Sequence, residues 1–91
     1  MKDNLGHKLE ASFVTLAMSI ASSALMSLGL VPDPQTNTTK TNLDLARFNI
    51  DLLEMLQDKT KGNLVKEEQD FVSQVLSDLK TKFLEVSKGE K

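Results

Sequence analysis

Apolar residues in this chain recur at helical spacing in three segments, separated by two stretches that break a helix. The middle segment, Thr41 to Leu64, is the best defined. Leu45, Phe48, Leu52, Met55 and Leu56 fall on one side of a helix, and Asp44, Arg47, Asp51, Glu54 and Asp58 fall on the opposite side. Thr41 is placed to cap the start, with Asp44 three residues on in a capping-box-like arrangement. Lys59 and Lys61 suit a helix C-terminus, and Gly62 suits the first residue beyond it. The pattern predicts a helix over about 42–61 whose apolar side must be covered by its neighbours.

The first segment carries no charge from Ala11 to Val31. A membrane-spanning helix has the right length, but Ser12, Thr15, Ser19, Ser22, Ser23 and Ser27 make the segment too polar. A signal peptide requires a basic start, whereas Asp3 and Glu10 accompany Lys2 and Lys8 here. A buried helix over about 10–29 fits best. Phe13, Leu16, Ala17, Ile20, Ala21, Ala24, Leu25 and Leu28 cover one broad side, widened by Val14 and Met18. Ala17, Ala21 and Ala24 would let another helix approach closely. Two partner helices are a small cover for so wide an apolar arc, so a second copy of the chain is expected to complete it.

Gly29 and the run Val31-Pro32-Asp33-Pro34 stop the first helix, and residues 30–41 form a polar connecting loop. The last helix is expected over about 64–87, capped by Asn63, with Glu67 and Glu68 in its first turn. Val72, Leu76, Leu79, Phe83 and Val86 repeat at intervals of four, three, four and three, with Phe71 and Val75 beside them. The architecture predicted is all-α: one three-helix, bundle-like domain over residues 1–91, completed by homo-oligomerisation. Residues 1–8 and 88–91 read as disordered ends.

Composition narrows the chemistry. A chain of 91 residues supports one modest core. It has no cysteine, which excludes disulfides and thiolate metal sites and fits a reducing compartment such as the cytoplasm. The net charge of −2 and the absence of Trp and Tyr argue against nucleic-acid binding. The sole histidine, His7, stands in the polar N-terminal arm without fixed partners. The acidic residues of the middle helix read as a solvated face with Arg47 bridging Asp44 and Asp51, since acid–base or metal chemistry needs converging oxygens.

Several motifs together resemble a family of small bacterial proteins catalogued as a domain of unknown function. They are LGLVPDP at Leu28–Pro34, NLDLARFNIDLLEMLQDKTKGNL at Asn42–Leu64, and the pair Glu67-Glu68. The likeness runs from Phe13 to Phe83, and KTKGNL at Lys59–Leu64 is its most specific part. Thr36-Asn37 stands where the family commonly has TG, and Asn37 can take the left-handed conformation that glycine favours. Val65-Lys66 stands where the family usually has Thr-Pro, which removes a cap from the last helix. The resemblance implies a helical bacterial protein, cytoplasmic, and carries over no catalytic or ligand residue.

The expected function is a non-enzymatic protein–protein interaction or self-association module, with a homodimer favoured over other oligomers. Its candidate interface is Phe13, Ala17, Ile20, Ala21, Ala24 and Leu28 with Val72, Leu76, Leu79 and Phe83. Candidate recognition segments are Pro32-Asp33-Pro34 and Lys59-Thr60-Lys61-Gly62-Asn63. No catalytic residue, cofactor or metal site is expected. The alternative is a membrane-associated adaptor that inserts residues 11–31. An enzyme or enzyme subunit ranks below both, because the usual constellations are missing.

Overall fold

A computed structural model describes residues 11–89. The expectation of a disordered arm at 1–8, the position of His7 and the last two residues lie outside that range. Three helices follow one another: α1 Phe13–Ser27, α2 Leu43–Lys59 and α3 Lys66–Gly89. All three pack against each other, as the apolar periodicity predicts. The Cα atoms fill a flat slab of 41 × 36 × 15 Å.

Local chemistry sets the boundaries, and several differ from the sequence expectation. Ser12 caps α1 by accepting from the Thr15 amide at 3.1 Å, which moves the start inward from residue 10. Its end is a Schellman motif: the Leu30 amide donates to the Leu25 carbonyl, the Gly29 amide donates to that of Met26, and Gly29 has φ +76°. The cap of α2 is Asn42, not Thr41. The Asn42 carboxamide oxygen accepts from the Leu45 amide at 3.1 Å, and its carbonyl accepts the first helical bond from the Ala46 amide at 2.9 Å.

The start of α3 is Lys66, three residues beyond the expected Asn63 cap. Val65 offers no capping side chain. Glu68 instead reaches back to accept from the Val65 amide at 3.0 Å, which is half of a capping box. At the other end Lys88 and Gly89 remain helical, where a disordered tail was expected.

The core joins Ala17, Ala21 and Ala24 of α1 to Ile50 and Leu53 of α2 and to Val72, Leu76 and Leu79 of α3. Ala17 and Ala24 are fully enclosed, so the methyl-only column brings the neighbouring helices close. The end of α1 is tied to the start of α2, with the Asn42 amide donating to the Ser27 carbonyl at 2.7 Å. Between α2 and α3 the pairs Arg47–Phe83, Glu54–Lys80 and Gln57–Ser73 run in opposite directions along the two chains, so these helices are antiparallel.

An inserted helix over 11–31 is not what forms. At 15 residues α1 is about 22 Å long, short of the ~30 Å hydrocarbon layer, and the chain reverses at Gly29. No helix among the described residues is long and apolar enough to cross a membrane.

Enlarging the alanine column tests this packing. Ala17→Leu and Ala24→Leu are each expected to destabilise the fold by about 1–3 kcal/mol through overpacking. Ser22→Leu, on the exposed side of α1, should stay within about 0.5 kcal/mol. Urea unfolding of the three variants reads the difference.

Candidate functional site

Most of the expected interface is spent inside one chain. Ala17, Ala21, Ala24, Leu28, Val72, Leu76 and Leu79 are buried in the chain itself, and Phe13, Ile20 and Phe83 are half-buried against them. Large apolar residues stay exposed on α1 (Val14, Leu16 and Met18), at Leu30, Val65 and Leu84, and on α2, where Leu45, Phe48 and Met55 line up in one row.

Apolar residues occupy about two-thirds of the circumference of α2, and the fold uses only part of it. Ala46, Asn49, Ile50 and Leu53 turn inward. Leu45, Phe48, Leu52 and Met55, read from the sequence as the covered side, form the adjacent stripe. Leu45 is 47% exposed, Phe48 56% and Met55 46%, with Leu52 half-buried. The third side is charged. Asp44, Asp51 and Asp58 are exposed, and Glu54 pairs with Lys80 of α3 at 3.0 Å. Arg47 does not bridge Asp44 and Asp51. Its guanidinium lies 5.3 Å from the centre of the Phe83 ring, where a cation–π contact and an apolar floor are available.

A groove of about 330 Å³ lies beside this contact, between Arg47, Ile50, Asp51, Lys80, Phe83 and Leu84. Among the described residues, no group of three or more acidic or histidine side chains could hold a metal ion.

The two recognition segments are built as chain reversals. Asp33 and Thr38 form an isolated antiparallel bridge, closed by the Asp33 amide donating to the Thr38 carbonyl at 2.9 Å. The Asp33 carboxylate accepts from the Gln35 amide at 2.8 Å, an Asx turn, so Asp33 is engaged in making the corner. Asn37 takes the left-handed conformation, φ 60°, which asparagine tolerates better than most residues. Pro32 and Pro34 are exposed on either side.

Lys59 ends α2 and Thr60 caps it, its hydroxyl donating to the Leu56 carbonyl at 2.7 Å. Gly62 turns the chain at φ +87°, two residues past the cap rather than one, and the Asn63 amide closes the turn on the Thr60 carbonyl. Lys61, Gly62 and Asn63 are exposed, and Asn63 serves this turn rather than the next helix. The backbone of the segment forms a helix stop, and Lys59, Lys61 and Asn63 stay exposed on it.

Where the first loop meets α1 and α2, an open groove of about 600 Å³ is lined by Asp33, Thr38, Lys40, Asn42, Ser27 and Asn49 among others. Sequence reasoning missed the last two as a pair. Asn49 is 8% exposed and Ser27 6%. The Asn49 amide donates to the Leu45 carbonyl at 3.0 Å and faces the Ser27 hydroxyl at 3.5 Å, while that hydroxyl donates to the Ser23 carbonyl at 2.8 Å. The available signal was position: Asn49 lies between Ala46 and Leu53 on the inward side, where a polar residue needs a partner.

A family model described as Domain of unknown function (DUF1844) matches residues 10–85. No curated protein and no solved structure matches the chain.

Two glycines separate close approach from backbone conformation at these corners. A Cβ at Gly29 would stand 2.5 Å from the Thr41 hydroxyl oxygen, whereas one at Gly62 would meet open space. Both adopt the left-handed conformation, so Gly62→Ala should cost about 1–2 kcal/mol. Gly29→Ala should cost more, and adding Thr41→Ala should return it to the Gly62→Ala value. Equal losses in thermal unfolding would show that the close approach contributes nothing.

Proposed function

The chain belongs to the DUF1844 family, a domain of unknown function, and from that premise we propose that it is a non-enzymatic association module that pairs with a second copy through α2. The observation that carries this reading is the open stripe Leu45–Phe48–Leu52–Met55 on a helix whose other apolar side is already buried. Apolar surface costs roughly 25 cal/mol per Å² to keep in water. A contiguous exposed patch rimmed by charge is the usual mark of an interaction surface.

The expectation of a homodimer rested on an under-covered α1, and the support for it now comes from α2. On α1, Leu16 is 48% exposed and lies on the same side of the helix as Ser23, which lines a groove with Leu45. The stripe from Leu45 to Met55 is about 15 Å long at 1.5 Å per residue. A stripe of that length makes a small interface, so the pairing is expected to be reversible and concentration-dependent.

The non-enzymatic part of the reading is supported by the charged side of α2. Glu54 is committed to Lys80, Arg47 to Phe83, and the remaining carboxylates are spread along an exposed helix surface. The cytoplasmic setting implied by the resemblance is kept as part of the proposal, with the lack of cysteine in its favour.

Light scattering across a concentration series tests the proposal. The mass is expected to climb from the 10.1 kDa of one chain towards twice that value. The double variant Phe48→Glu, Met55→Glu should remain at one chain with unchanged helical circular dichroism. A wild-type mass fixed at one chain, or a variant that still doubles, would overturn the reading.

A further inference from the structure

We infer that the two copies pair with their α2 helices parallel, like ends together; the inference rests on the self-association reading above. Leu45, Phe48, Leu52 and Met55 advance by three, four and three residues, the alternation of a two-helix seam. Each edge of that seam has its own character. Along one runs Asp44, Asp51 and Asp58, seven residues apart and all exposed. Along the other, Asn49 is buried against Ser27 of α1 and Leu56 is half-buried, and neither they nor α1 beside them carries a charge.

Direction decides which edges meet. In an antiparallel pair, Leu45 faces the partner's Met55, and Phe48 faces the partner's Leu52. Edges of the same kind then oppose each other. Asp51 meets its own counterpart at the two-fold axis, and Asp44 meets the partner's Asp58 twice. In a parallel pair each acidic edge meets the uncharged edge of the other copy, and no carboxylate opposes a carboxylate. The parallel arrangement does bring Lys59, next along the seam, level with its counterpart. Lys59 is the last residue of α2 and exposed, so its long side chain can turn out towards Asp58 of the other copy. Three like-charge meetings therefore stand against one at an open end. At the strength of exposed helix pairs this net difference of two favours the parallel form by roughly two- to fivefold at low salt, less as salt screens it.

Parallel pairing has a structural consequence. Both Asp33 corners come to one end of the dimer, and both Lys59–Asn63 turns come to the other. The assembly then presents two unlike ends, one of them carrying Lys59 and Lys61 from each copy.

The cysteine-free chain makes the test clean. Leu45→Cys and Met55→Cys are made singly, with Ser77→Cys on the exposed side of α3 as a collision control. Each is treated with a mild oxidant at low salt near the association midpoint. Parallel pairing predicts that Leu45→Cys alone and Met55→Cys alone each form the linked dimer at least tenfold faster than Ser77→Cys. A tagged Leu45→Cys mixed with untagged Met55→Cys should give mixed dimers as the minority product. The opposite pattern, mixed dimers dominating, overturns the parallel inference and leaves pairing through α2 standing. Control-level linking of every variant, whether the mass doubles or not, overturns both, because the copies then do not meet along this stripe.

Discussion

Close helix approach along Ala17, Ala21 and Ala24 is the constraint on which the rest of the structure depends. A column of methyl groups leaves room for two partner helices at short range, and both arrive. Ile50 and Leu53 come from α2, and Val72, Leu76 and Leu79 come from α3. The choice has a cost in coverage. A helix packed that tightly on one side presents only one arc of α2 to the core, and the chain forms a slab 15 Å thick rather than a rounder bundle. Among the described residues nothing covers the apolar residues of α2 beyond that arc.

This makes α2 a three-sided element. Its inward side holds the core and one polar tie, Asn49 to Ser27, at the end where the connecting loop is anchored. Its charged side faces water and α3. There the half-exposed Glu54–Lys80 pair contributes at most about 1 kcal/mol, and register comes as much from Arg47 over Phe83. Its third side is open. The corners at both ends are rigid for local reasons: a Schellman motif and an Asx turn before α2, a threonine cap and a left-handed glycine after it. The open stripe is thus displayed on a helix held at both ends, which suits docking with little loss of freedom.

Much of the fold was legible in the sequence. Helix number, the alanine column, the repeat Val72–Leu76–Leu79–Phe83 and the two glycine-bearing stops all follow from spacing and turn chemistry. Two things did not follow. Apolar residues on α2 spread over so wide an arc that periodicity alone could not say which part faces inward. Phe48 and Met55 are the more conspicuous members, yet Ala46, Ile50 and Leu53 are the ones that fit against a close-packed neighbour. The interface was then sought on α1 and α3, whose seams are consumed within the chain. Boundaries slipped where two residues compete for one role, as Thr41 and Asn42 do for the cap of α2, because reach and backbone direction decide such cases. The start of α3 slipped because its cap is a glutamate reaching back to Val65 rather than a residue at the boundary.

The central claim is that α2 buries one apolar side in its own chain and offers the adjacent one to a second copy. Paramagnetic relaxation of methyl groups by a soluble, uncharged relaxation agent tests it most directly, recorded first at high dilution and then at high concentration. At dilution the account predicts strong relaxation for Leu45 and Met55 and protection for Ile50 and Leu53. On concentration it predicts that Leu45 and Met55 become protected while Ile50 and Leu53 do not change. Protection of Leu45 and Met55 at the highest dilution would mean that the stripe is covered within the chain. Strong relaxation of Ile50 and Leu53 would mean that the core is built from the other side of the helix. Either result would contradict the account.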